Sequence, residues 1–244
     1  MYATAPVPTV RAAMLGAVLL VVTFSGCFGQ NDHGSPYDYI RDSKYDTWVI
    51  EIDYVQSHQP SADVLSTLRS RMGELVHKDT ITTGLDDQIE GRSVWSRGDI
   101  DALRDRHGDQ RTRGSTAVTH LVFVDGRYEK ETTLGVAVGH DFVVIFSERI
   151  ATACSSDVLC FPADEVQVRK AVLVHEFGHI IGLVDNGVPM VNSHGDGTAH
   201  STNQNSVMYA TADTTGIFGL NNIPTTFDSN DKLDICRAGG KGSC

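Results

Sequence analysis

His175 and His179 stand four residues apart with Glu176 beside the first, in the run HEFGHIIGLVDNG from His175 to Gly187. On a helix, residues i and i+4 share one face about a turn apart, so two imidazoles at this spacing can aim ring nitrogens at one zinc ion. A carboxylate next to the first histidine does not ligate the metal, yet it can reach a water there, as a general base must. Catalytic zinc usually takes three protein ligands and keeps a position open. The chain has no glutamate after Glu176, which excludes a glutamate from a later helix as third ligand. Asp185, His194, Asp196 and His200 remain. Gly182 suits a left-handed residue that ends the helix and turns the chain back, so that a residue three positions on approaches the metal from below. Asp-Asn-Gly is equally a turn sequence in which Asp185 bonds its own backbone.

These residues need elements to position them. DEVQVRKAVLVHEFGHIIGL, about Asp164 to Leu183, reads as a helix opening on acidic residues after Pro162 and losing its pattern at Gly182. Residues 185–205 are rich in Gly, Asn, Asp, Ser and His and read as a long loop, the kind that tends to carry function. Upstream, Trp48 to Val55 alternates apolar and polar residues as a half-buried strand does, and SADVLSTLRSRMGELV has helical spacing. SRGDIDALRDRHG suggests a short helix, and Thr119 to Gly126 a buried strand ending in a turn. Leu134 to Val138 and Phe142 to Phe146, flanking Gly139-His140-Asp141, predict a hairpin or a bent pair of edge strands. In FDSNDKLDIC, Asp228 can cap a final helix with Asp231 reaching back. An EF-hand loop fails there, because Lys232 and Leu233 occupy ligand and glycine positions.

HEFGHIIGLVD resembles the metzincin signature H-E-x-x-H-x-x-G-x-x-H/D. The resemblance implies zinc bound by His175, His179 and Asp185, with Glu176 catalytic, and it favours Asp185 over His200 or His194; some metzincins, the snapalysins among them, use aspartate. SVMYA is similar to the Met-turn of these enzymes, with Met208 beneath the metal and Tyr209 after it in the matrixin order. The resemblance spans about Tyr45 to Cys236. It implies an α+β fold with a mixed twisted sheet, two or three helices and a small irregular C-terminal subdomain. One catalytic domain, 45–244, is expected, divided near 183.

Residues 1–27 read as an export signal: Arg11 is the only charge, an apolar run from Ala12 to Phe24 follows, then Ser25, Gly26 and Cys27. FSGC resembles a lipobox, which implies lipid modification at Cys27, with 28–44 as a flexible tether. The chain is then expected outside the cytoplasm, on the outer face of the cell membrane or secreted. There the remaining cysteines should pair locally, Cys154 with Cys160 and Cys236 with Cys244; a structural zinc is the rival, but C-x5-C and C-x7-C lack zinc-knuckle spacing. A formal net charge of −11 among 244 residues argues against nucleic acid as a partner. The expected function is zinc-dependent endopeptidase action on protein or peptide substrates by a monomer, with an edge strand within Leu134 to Phe146 holding the substrate extended. The alternative class is a zinc-stabilised binding module without turnover.

Overall fold

From Leu121 to Val124, and again from Phe142 to Phe146, successive side chains belong alternately to two separate apolar clusters. Neighbouring residues of a strand point to opposite faces, so both segments are strands covered on both sides. A computed structural model describes residues 34–155, 164–210, 223–242 and 244. Its elements run α1 (Pro36–Ile40), β1 (Thr47–Val55), α2 (Ala62–Leu75), β2 (Thr80–Ile89), β3 (Val94–Trp95), α3 (Arg97–His107), β4 (Thr116–Val124), β5 (Arg127–Tyr128), β6 (Gly135–Val138), β7 (Phe142–Phe146), α4 (Ser147–Ser155), α5 (Glu165–Ile180) and α6 (Ser229–Arg237).

Five strands form one sheet in the order β2-β1-β4-β7-β6, and β3 pairs with β5 apart from it. β2, β1, β4 and β7 are parallel neighbours, while β6 is antiparallel to β7 at the edge. The sheet is thus mixed, as expected, but mostly parallel. Parallel sheets need helices on both faces, and six helices occur among the described residues, more than the two or three expected. α2 and α5 cover one face; Leu68 and Met72 of α2 are fully buried there, each worth about 1.5–3 kcal/mol of burial. α3 covers the other through Ile100 and Leu103. None of the described helices is long and apolar enough to cross a membrane.

The tether expected at 28–44 is corrected over its described part. Ser35 caps α1 with a capping box, Tyr39 and Ile40 are buried, and the Tyr39 ring lies 4.9 Å from Trp48. Tyr39 Oη donates to Val118 O at 3.0 Å, and buried Lys78 donates its ammonium protons to the carbonyls of Asp38, Arg41 and Tyr45. Two aromatic or apolar side chains in YDYI were enough to draw this segment into the core. The export signal and Cys27 lie outside the described residues. Cys236 pairs with Cys244; Cys154 is disulfide-bonded, and Cys160 lies outside the described residues.

Candidate metal centre

Asp164 caps α5 by accepting from Gln167 N at 2.8 Å. From Ala171 to Leu183 every residue is buried. A helix buried on all sides must answer for its polar side chains, and three sit here: His175, Glu176 and His179.

His175 Nδ1 stands 2.7 Å from Val207 O. A carbonyl only accepts, so Nδ1 carries the proton and the Nε2 lone pair points away. It points at His179, whose Nε2 is 3.1 Å distant. His200 completes the group, with its ring stacked on His175 at 5.2 Å and edge-on to His179 at 5.3 Å. One ring nitrogen from each of the three lies within 4.8 Å of the others. Burial, and then the neighbouring His175 and His200, hold His179 well below the ordinary histidine pKa, so its imidazole is neutral, the form that ligates metal. Zinc–nitrogen bonds of 2.0–2.1 Å put two tetrahedral ligands about 3.3 Å apart. The 3.1 Å spacing and the neutral, buried donor set fit such an ion.

Asp185 is not in this group. After Gly182 (φ 79°), Val184 and Asp185 also adopt left-handed conformations, φ 56° and 62°, and this turn carries Asp185 into solvent while Val184 is buried. Asn186 instead closes the helix end, its Nδ2 donating to His179 O at 3.1 Å, and His140 Nδ1 serves Ile180 O. The Asp-Asn-Gly run is therefore a turn, and the chain needs fifteen further residues before His200 arrives. His194 is engaged elsewhere: Nε2 meets Asp234 Oδ2 of α6 at 2.9 Å. It anchors the loop that carries His200, because Thr202 N donates to His194 O and Val191 N to Asp234 Oδ1. Asp196 is exposed and serves the same loop, accepting from Thr198 N and Oγ1 and from His200 N. Burial pushes its carboxyl up, but these bonds outweigh that and leave it lowered. Thr198 Oγ1 lies 3.1 Å from His200 Nδ1.

Two glycines let the site close up. A Cβ on Gly178 would lie 2.2 Å from Met208 Sδ, so the fully buried Met208 packs against the α5 backbone between the two histidines. A Cβ on Gly135 of β6 would lie 2.7 Å from Glu176 Oε1, so the Glu176 carboxyl rests on the edge strand. Tyr209 is half-buried and meets Gln204 Nε2 at 3.4 Å.

Among solved structures, the chain aligns with the crystal structure of archaemetzincin from Methanopyrus kandleri at TM-score 0.54 and 12% identity, covering 79% of this chain and 96% of that one. The fold is similar to that of archaemetzincin. Metalloproteinase-II from Bacteroides fragilis aligns at TM-score 0.48 and 11% identity over 82% of this chain, which spans about half of it, 55%. No protein-family model and no curated protein matches the sequence. The likeness to archaemetzincin therefore speaks for the fold, and the chemistry must be argued from the histidines themselves.

Proposed function

We propose that the protein is a zinc-dependent metalloendopeptidase acting as a monomer outside the cytoplasm, held at the membrane through a lipid on Cys27 after export by residues 1–27. The observation that carries the peptidase reading is the buried triad His175, His179 and His200 with Glu176 on the same helix; the lipobox-like FSGC carries the anchoring.

The three imidazoles would hold the zinc, His175 with Nδ1 fixed by Val207 O, as outer hydrogen bonds fix the tautomer of ligating histidines. Bound there, zinc supplies a Lewis acid that polarises the scissile carbonyl and makes water acidic enough to attack near neutral pH. Glu176 takes the proton from the attacking water on its carboxylate and passes it to the departing amine nitrogen. β6, the antiparallel edge strand beside Glu176, offers main-chain groups to an extended substrate. Met208, packed against α5 at Gly178, would serve as the Met-turn methionine of this reading.

The test compares cleavage of an unfolded protein by the full chain and by Glu176→Ala, with zinc measured on both. Cleavage lost in the variant while each holds about one zinc at the histidines supports the reading. Equal cleavage by both overturns the role of Glu176, and zinc binding without cleavage by either moves the protein to the binding-module class.

A further inference from the structure

The sheet face turned away from α5 is apolar at the end covered by α3, where Val55, Val122 and Val124 lie, and polar at the other. Glu51 and Asp53 of β1 and His120 of β4 point to this face, and all three are buried. Glu51 and His120 are direct register partners. On the opposite side of β1 the pairing with β2 slips between Ile52 and Tyr54. A bulge of this kind re-aims a side chain, and Asp86 of β2 brings its carboxylate to Glu51. Asp109, just after α3, brings a third: one oxygen from each of Glu51, Asp86 and Asp109 lies within 4.8 Å of the others. Gln110 N donates to both Glu51 oxygens at 3.3 Å.

Among the described residues, no lysine or arginine is seen in a salt bridge with Glu51, Asp86 or Asp109. Arg104 is held by both oxygens of Asp141, at 2.5 and 2.6 Å, and Arg111 Nη1 donates to Gln110 O. Burial, followed by the hydrogen bond with Asp86, pushes Glu51 up to about 7. The His120 side chain is only 9% exposed, and its Nδ1 stands 2.5 Å from Glu51 Oε2 without hydrogen-bond geometry and with no other partner among the described residues. Burial holds this imidazole down at about 4, hence neutral. His120 Nδ1 thus faces Glu51, one member of the acid group, and a ring nitrogen beside carboxylate oxygens is the donor set of a shared cation.

We propose that Glu51, Asp86, Asp109 and His120 form a second divalent-cation site, on the sheet face opposite α5. Three carboxylates with one imidazole admit manganese or zinc, and the oxygens alone admit calcium. The ion would tie β1, β2, β4 and the turn after α3 together, a structural role independent of the peptidase reading.

The experiment uses the full chain carrying His200→Ala, so that the outcome does not depend on the histidine triad. After chelation, melting temperature and bound metal are measured on adding manganese, zinc or calcium chloride. The exposed pair Asp86→Asn/Asp109→Asn, which leaves the core intact, is measured in the same background, as is Glu51→Gln. The expected result is a rise in melting temperature and about one bound equivalent for at least one of the ions, both lost in the Asp pair and in Glu51→Gln. An unchanged ion response in the Asp pair, or no response to any ion in the parent, overturns the proposal. So does a Glu51→Gln protein that melts higher than its parent with the ion present, because the gap between Glu51 and His120 then holds only a proton.

Discussion

Replacing Gly178 by alanine sets two effects of opposite sign against each other. In a helix interior the exchange gains about 1 kcal/mol of propensity. At this position the new Cβ would stand 2.2 Å from Met208 Sδ and 3.3 Å from Phe227 Cε1, where contact needs about 3.5–4.0 Å. The sulfur would have to retreat by about 1.5 Å, and its backbone is tied: Met208 N donates to Ser206 Oγ, Met208 O accepts from Ser201 N, and Val207 N donates to Thr226 O. Overpacking of this kind costs about 1–3 kcal/mol, so the clash wins by about 1 kcal/mol and the melting temperature falls by about 2–4 °C. Because Val207 O also orients His175, zinc affinity should fall together with stability, by about 10–100-fold, as when an outer hydrogen bond to a ligand is lost. Thermal melts and competition against a graded zinc chelator measure the two quantities. In a double-mutant cycle with Met208→Ala, part of the Gly178→Ala cost should vanish, with a coupling of about 0.5–3 kcal/mol. A Gly178→Ala protein that melts higher, with zinc affinity intact and effects additive with Met208→Ala, would refute the packing argument.

His200→Ala should abolish tight zinc binding, whereas Asp185→Ala, at an exposed turn, should leave zinc affinity unchanged while costing about 1 kcal/mol of stability, because alanine suits the left-handed φ of 62° less well than aspartate; equilibrium dialysis of both decides between them. Gly135→Ala should lower kcat more than zinc content, because its methyl group would displace the Glu176 carboxyl; equal kcat in the two proteins contradicts that placement. Opening the Cys236–Cys244 loop, whose ends are 8 residues apart, should cost about 2.5 kcal/mol in the chain-entropy picture, read as a lower urea midpoint. In the metal-free protein, Glu51 and Asp53 have folded pKa values raised by burial to about 7 and about 6. Their contribution to stability is full below their unfolded values and is lost as pH rises through about 4 to 7. His120, lowered to about 4, works the other way, gaining stability over about 4 to 6.5. Glu51→Gln removes one carboxyl that loses stability over this range, so between pH 5 and pH 7.5 the chelated variant should lose less melting temperature, or gain more, than its chelated parent.

The strongly patterned elements were legible. β1, α2, α3, β4 and the β6–β7 pair fall where periodicity places them, and the Asp228–Asp231 capping box opens α6 as expected. β2 was missed because TITTGLDDQI is an exposed edge strand whose residues lack an apolar alternation to read. α4 was missed because it follows β7 without a break, so no turn residue announces it. At the site, His175, Glu176 and His179 are fixed by helical spacing, which is local. The third corner is not local. His200 reaches the other two through a loop held by His194 and Val191 on Asp234 and by Ser206, whose Oγ donates to Asp231 Oδ2, contacts between segments distant in sequence. The only available signal was imidazole itself, the commoner zinc ligand, against an aspartate in a good turn sequence.

The distance in sequence between His179 and His200, about 21 residues, makes an ion at the triad a cross-link. It would close a ring through Gly182, the left-handed turn and the loop anchored on α6, much as a disulfide closes one. For a ring of this length the chain-entropy estimate is about 3 kcal/mol of constraint on the unfolded chain. Removing the metal would then do more than silence the site. It would release the whole stretch from Asp185 to Met208 from its staple, leaving it tied to α6 by hydrogen bonds alone, among them His194 to Asp234 and Ser206 to Asp231, so a chelator and a protease acting together should open this chain at that loop first.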